Sequence, residues 1–157
     1  MVVVADTSPI NYLTLIEQIE ILPQLYTAIL IPPSVLEELK HPFTPKIVRD
    51  WIGQAPKWIE VRSPKTWPSI SQLDRGESEA IALAVEWQAQ LLRIDEQAGR
   101  QEAVRRGLRV AGTLSVLDEA DRAGLLDFEA AIDHLCRTSF RVSRAILSEI
   151  RQRRSSL

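Results

Sequence analysis

Two short apolar runs in this chain end in an aspartate: Val2-Val3-Val4-Ala5 stops at Asp6, and Leu91-Leu92-Arg93-Ile94 stops at Asp95. An aspartate after a strand commonly caps the next helix. Here Ser8, followed by Pro9, is better placed to cap than Asp6. Asp6 is therefore available for chemistry. Further acids stand near helix starts. Ser34-x-x-Glu37 reads as a capping box, which gives Glu37 a structural task. At about 100° per residue, Val35, Leu36 and Leu39 define a buried face, and Glu38 lies nearer to it than Glu37. In Asp74-Arg75-Gly76-Glu77-Ser78-Glu79, Asp74 can cap and Glu77 can reach back to it. Glu77 and Glu79 flank the face made by Ala80, Leu83, Ala84 and Trp87 on opposite sides, so either can reach a site.

In an open parallel sheet, ligands bind beyond the carboxyl ends of the strands. Carboxylates gathered there without a counter-ion raise one another's pKa and destabilise the fold. A divalent cation resolves the conflict, and an all-oxygen ligand set suits Mg²⁺ or Mn²⁺. No histidine cluster points to zinc: His41 precedes Pro42, and His134 falls on a late helix. An acid-held Mg²⁺ or Mn²⁺ lowers the pKa of its water and neutralises charge on a phosphate, which is the chemistry of phosphodiester hydrolysis.

The elements that position these acids follow from the apolar pattern. Strands are expected at 2–5, 28–31, 58–62, 91–94 and 108–110, separated by helical stretches. Helices are expected from Ser8, near 19–25, from Ser34, over 46–53, 74–88 and 97–106, and at roughly 114–123, 128–137 and 143–153. Residues 63–73, with Pro64 and Pro68, read as a loop. Strands alternating with helices predict an α/β fold: a three-layer α/β/α sandwich with a mostly parallel sheet of about five strands. Residues 1–150 read as a single domain and 151–157 as a frayed tail. Asp6 and Asp95 are expected at the carboxyl ends of adjacent strands.

Composition narrows the functional classes. With 157 residues, 45% hydrophobic and 25% charged, the chain is an ordinary globular domain. The longest apolar runs are far shorter than the roughly 20 residues a membrane-spanning helix needs. The N-terminus has no basic region before Asp6 and does not read as a signal peptide. The lone Cys136 excludes an internal disulfide, so the cytoplasm is the expected compartment and a helix-packing thiol its expected role. Net charge is −2, but residues 1–92 carry 7 basic and 11 acidic side chains, whereas residues 93–157 carry 12 and 10. All twelve of those basic residues are arginine, whose forked guanidinium suits phosphate, although a solvated helical surface explains them equally well. No G-x-G-x-x-G follows a strand, which disfavours a dinucleotide site. No lysine follows Lys65, which disfavours a phosphoacceptor receiver domain.

Taken in order, the motifs resemble those of PIN-domain ribonucleases, and within them a prokaryotic group related to VapC-type toxins. The resemblance rests on Asp6-Thr7-Ser8-Pro9, Val35-x-x-Glu38-Leu39 and Gly76-Glu77-x-Glu79-Ala80-Ile81-x-Leu83-Ala84. It continues through Asp95-Glu96-x-x-Gly99-Arg100, then Gly107-Leu108-x-Val110-x-Gly112-Thr113-Leu114, and Ser139-Phe140-Arg141-Val142-Ser143. It implies a Mg²⁺- or Mn²⁺-dependent endoribonuclease, a cognate antitoxin and a homodimer. Carried over by position, Asp6, Glu38, Glu77 and Asp95 become metal ligands. Glu79 is auxiliary, since the 18-residue step from Glu77 to Asp95 favours Glu77. Thr113 becomes a hydroxyl that orients ligands or water, with a helix N-cap as its structural alternative. Arg100 and Ser8 become RNA contacts, with an ion pair to Asp95 or Glu96 as the alternative for Arg100. Arg93 stands where relatives carry threonine, and Asp118 and Asp121 read as solvated. Leu13, Ile16, Ile47 and Trp51 are the apolar side chains available for a dimer. A PIN-like module that binds RNA or protein without cutting is the competing reading.

Overall fold

The computed structural model describes residues 1–66 and 72–156. Pro68, within the loop expected at 63–73, lies outside them. Five parallel strands form one sheet: β1 (Val2–Ala5), β2 (Ala28–Ile31), β3 (Ile59–Val61), β4 (Leu91–Arg93) and β5 (Val110–Ala111). Their order is β3-β2-β1-β4-β5. The chain builds outward from β1 to β3, then crosses back to place β4 on the other side of β1. The switch point of the sheet therefore lies between β1 and β4, where Asp6 and Asp95 leave the strands. The register Ala5 to Arg93, continued by a 2.9 Å bond from the Asp6 amide to the Arg93 carbonyl, makes them neighbours, as expected.

The strands are short apolar runs because both faces of the sheet are covered. Val3, Ala5, Ile29 and Ile31 point to one side. There they meet Ile10 and Leu13 of α1 (Thr7–Leu15), Leu117 of α7 (Thr113–Arg122), and Phe128 and Leu135 of α8 (Phe128–Cys136). Val4, Leu30 and Leu92 point to the other side. They meet Ala80, Ile81 and Leu83 of α5 (Arg75–Glu86) and Ala103 of α6 (Gln97–Arg105). The result is the three-layer α/β/α sandwich. Also present are α2 (Ile21–Leu25), α3 (Pro33–Leu39), α4 (Lys46–Gly53) and α9 (Arg144–Ser155). No described helix is long and apolar enough to cross a membrane.

Several local expectations change. α1 starts at Thr7 with Asp6, not Ser8, at the N-cap position, yet the Asp6 side chain makes no capping bond. α3 starts at Pro33 after Pro32, so Ser34 lies inside the helix and forms no capping box with Glu37. Trp87, expected on the buried face of α5, is the C-cap and 43% exposed. Cys136 is exposed rather than packed. Leu13 and Ile16 belong to the core of the single chain, whereas Ile47 is 46% exposed and Trp51 is partly buried. Residues 151–155, read as a frayed tail, continue α9. Arg154 explains the ordered end: it reaches Asp118 and Asp121, both at 2.9 Å, and its guanidinium covers the Phe128 ring. Asp118 is accordingly buried, held by Arg122 as well, and its carboxyl lies below the ordinary range because those hydrogen bonds outweigh its burial.

Arg93 sits in β4 on the face toward α7 and is 2% exposed. Its Nη2 donates to the Tyr26 hydroxyl and, at 2.5 Å, to Glu119, while Nε and Nη1 have no partner among the described residues. Glu119 is 44% exposed and can reach water alone. Replacing a buried ion pair by apolar groups of similar volume is commonly neutral or stabilising by about 1–4 kcal/mol. Arg93→Met is therefore expected to leave the midpoint of urea unfolding unchanged or raise it. A loss of more than about 2 kcal/mol would mean that the pair is a net stabiliser.

Candidate active site

The carboxyl end of β1 delivers Asp6 into a ring of other acids. α3 brings Glu38, whose Oε2 accepts the Thr7 hydroxyl. The start of α5 brings Asp74 and Glu77 through a complete capping box. Glu77 N donates to Asp74 Oδ1 at 2.8 Å, and Asp74 N donates to Glu77 Oε2 at 3.2 Å. The acids close over Gly76. A side chain there would begin 3.3 Å from Glu38 Oε2, 3.4 Å from Asp6 Oδ1 and 3.5 Å from Asp74 Oδ1. The glycine leaves the room in which these three carboxylates meet.

Asp95 enters from β4 and is held by Thr113, whose amide and hydroxyl each donate to it at 2.7 Å. Thr113 is the first residue of α7, with Gly112 as N-cap, so its hydroxyl serves Asp95 rather than capping the helix. A side chain at Gly112 would overlap the Asp95 carboxylate. Glu77 rather than Glu79 faces this group. Glu79 is 2% exposed and looks the other way, accepting the Ser34 amide at 3.2 Å, the Ser34 hydroxyl, and Arg75 Nε at 3.2 Å. It ties α5 to α3 and takes no part in the acid group.

Electrostatics marks the same residues. Burial pushes the Asp6 carboxyl well above the ordinary range, and the charges of Asp74, Glu77 and Glu38 add to the shift. Burial also raises Glu77, reinforced by Asp74, Glu96 and Glu38. Asp95 is raised by burial, against the two Thr113 hydrogen bonds and the charge of Arg100, with Glu96 pushing upward. Asp74 and Glu96 thus belong to the acidic edge. The capping box of Asp74 and the position of Glu96 beside Asp95 were the available signals for them.

A groove of about 500 Å³ leads away from Asp95. Ser8 and Arg100 both line it, and the Arg100 guanidinium pairs with no carboxylate among the described residues.

The model of one family, described as a PIN domain (DUF3368), matches residues 2–156. The chain belongs to the PIN-domain family. PIN domains form a nuclease superfamily and typically use divalent metals. Among solved structures, the fold is similar to that of a PilT N-terminus domain protein from the hyperthermophilic archaeon Sulfolobus solfataricus. The TM-score is 0.54 at 18% identity, over 76% of this chain and 93% of that one. No curated protein matches the chain.

The donor set of this PIN domain suits a hard cation. The side chains named at the edge are carboxylates, with no nitrogen or sulfur donor among them. Among the described residues, no three His, Cys, Asp or Glu side chains stand close enough to grip an ion directly. Mg²⁺ does not require that, since it is usually held by one or two carboxylates and keeps several waters. Were such an ion bound here, Asp6 and Asp95, which flank the switch point, would be placed to hold it, with Glu38 and Glu77 following from the helices.

The raised carboxyls make a prediction for the metal-free protein. A group whose folded pKa exceeds its unfolded value stabilises below the unfolded value and loses that contribution as pH rises through the folded one. The unfolded references here are 3.8 for Asp6 and Asp95 and 4.5 for Glu77. Metal-free protein is thus expected to lose stability as pH climbs from that range toward neutrality. Asp6→Asn should flatten this slope and melt at or above wild type at pH 7.5 in chelator. Lower melting across the whole pH range would identify Asp6 as a structural partner instead.

Proposed function

We propose that this PIN domain is a divalent-metal-dependent endoribonuclease that hydrolyses RNA phosphodiester bonds at the acidic edge. The observation that carries the reading is that Asp6 and Asp95 leave adjacent strands at the switch point, with Glu38, Asp74 and Glu77 gathered around Asp6. A bound Mg²⁺ or Mn²⁺ would lower the pKa of water and neutralise charge on the scissile phosphate. The chain's own groups do the rest. Thr113 fixes the Asp95 carboxylate from two sides, and Thr7 fixes Glu38. Arg100 and Ser8 flank the exit from Asp95 and meet the phosphates of the RNA.

The resemblance to VapC-type toxins extends the proposal to a cytoplasmic toxin with a cognate antitoxin, acting as a homodimer. Phe43, 93% exposed, and Ile47, 46% exposed, are apolar side chains available to such a dimer. The competing reading is a binding module that does not cut; among the described residues no three acids stand close enough to grip an ion together.

Cleavage of a mixed RNA pool decides between them. Wild type should cut with Mn²⁺ and stop in chelator, and Asp6→Asn or Asp95→Asn should lose roughly a hundredfold or more. Mn²⁺ should also raise the melting temperature of wild type more than that of Asp6→Asn. No metal-dependent cutting and no metal-dependent melting would favour the binding module.

Thr113 acts as a positioning residue. Loss of an outer partner of a metal ligand typically costs 10–100-fold in metal affinity or activity. Thr113→Val should therefore raise the Mn²⁺ concentration needed for half-maximal cleavage. A reduced rate with unchanged Mn²⁺ dependence would assign Thr113 to structure alone.

Arg100→Ala should weaken RNA binding and lower the slope of its salt dependence by about one. An unchanged slope would remove Arg100 from the phosphate path.

A further inference from the structure

The segment between α8 and α9 lines the groove beside Asp95 from Ser139 to Ser143. Its ends are anchored. The Thr138 hydroxyl donates to the Leu135 carbonyl at 2.6 Å and accepts the Phe140 amide at 3.1 Å. Ser143 caps α9 by accepting the Ile146 amide at 3.3 Å. In the middle, Ser139 Oγ lies 2.9 Å from the Tyr12 hydroxyl of α1, which pins the segment to the floor of the groove. The Phe140 ring meets the Tyr12 ring edge-on, with centroids 4.9 Å apart.

These contacts build a wall with two different properties. Phe140 and Tyr12 are half-buried, with their inner sides against the core and the rest lining the groove. Arg141 is exposed and, like Arg100, which also lines the groove, pairs with no carboxylate among the described residues. Aromatic surface beside unpaired guanidinium is the combination that holds an unpaired nucleotide: the base lies on the ring, and the phosphate meets the arginine. The volume fits the same occupant. About 500 Å³ is in the range that takes a single nucleotide-sized ligand.

We propose that Tyr12, Phe140 and Arg141 form a nucleobase subsite adjoining the acidic edge, in which Phe140 takes a base against its ring and Arg141 takes the neighbouring phosphate. The proposal rests on the nuclease reading only for the direction in which the RNA leaves the acids. The subsite itself is defined by the wall.

The test uses full-length protein in chelator, so that binding is separate from cutting. The probes are a fluorescently labelled oligoadenylate and an oligomer of the same length whose sugars carry no base. Stacking on a protein aromatic is worth roughly a tenfold change in affinity per base. Wild type should prefer the oligoadenylate by about that factor. Phe140→Leu should weaken the oligoadenylate to the level of the baseless oligomer, whose own binding should not change. Phe140→Trp should retain the preference. Arg141→Ala, at an exposed position, should weaken both probes equally and reduce the salt slope by about one.

If Phe140→Leu weakens both probes alike, or if wild type shows no preference for bases, the ring is only groove wall and the proposal is wrong. Binding of neither probe would assign the groove to another ligand and also overturns it. If the base preference and its loss are seen but Mn²⁺ produces no cleavage, the subsite stands and the nuclease reading falls. If RNA is cut and the variants behave as wild type toward both probes, the nuclease stands without this subsite.

Discussion

Mutual repulsion among carboxylates at the carboxyl edge of the sheet is the constraint around which this molecule is arranged. Asp6, Glu38 and Asp74 meet over one glycine, Glu77 is capped against Asp74, and Asp95 enters from the adjoining strand. No folding requirement gathers them, because each carboxylate would be more stable in water. The topology does so: the order β3-β2-β1-β4-β5 makes β1 and β4 neighbours while their following helices depart in opposite directions. The crevice that results is where an α/β sheet accepts ligands. Partial compensation comes from local donors, namely Thr7 for Glu38, the capping-box amides for Asp74 and Glu77, and Thr113 for Asp95. Asp6 accepts the Thr7 amide, yet burial and the surrounding acids still hold its carboxyl well above the ordinary range.

Buried charges elsewhere in the chain show the contrast. Glu79 is as buried as any acid of the edge, yet it receives the Ser34 amide and hydroxyl and the Arg75 guanidinium. Asp118 is equally buried and lies between Arg122 and Arg154. Both are neutralised by arginine, whereas the raised carboxyls of Asp6 and Glu77 are pushed further up by neighbouring acids. An acid paired with arginine holds helices together. An acid surrounded by acids has its charge left over, which is what a cation or a proton can use.

Much of this was legible in the sequence, and the reasons differ by element. The two strand-terminal aspartates were readable because buried parallel strands are short apolar runs that stop abruptly. The Asp74–Glu77 capping box was readable because both partners lie within one helical turn. Ser34-x-x-Glu37 matched the same local pattern and misled, since Pro32-Pro33 moved the helix start upstream and a residue 45 positions away claimed the Ser34 hydroxyl. Helical phase placed Glu77 and Glu79 equally well, and only the packing of α5 against α3 separates them. Asp118 and Asp121 looked solvated because Arg154, 36 and 33 residues on, has no local signature. Arg93 could not be placed at all, because its partners Tyr26 and Glu119 come from two other elements.

The arginine bias of the second half of the chain resolves along the same line. Read as composition, twelve arginines and no lysine suggested a phosphate-binding surface. In the fold, Arg93, Arg105, Arg106, Arg122, Arg151 and Arg154 all pair with acids, so half of that charge is structural. What remains matters by position. Arg100 and Arg141 both line the groove that begins at Asp95, one on the helix after β4 and one on the link before α9. The N-terminal half therefore contributes most of the acids, and the C-terminal half contributes Asp95 with the basic wall beside it. A polyanion approaching the edge is repelled by bare carboxylates and attracted by the two guanidiniums. It can settle only where a cation offsets the first effect and the groove supplies the second, which couples metal and nucleic acid at one site through charge alone.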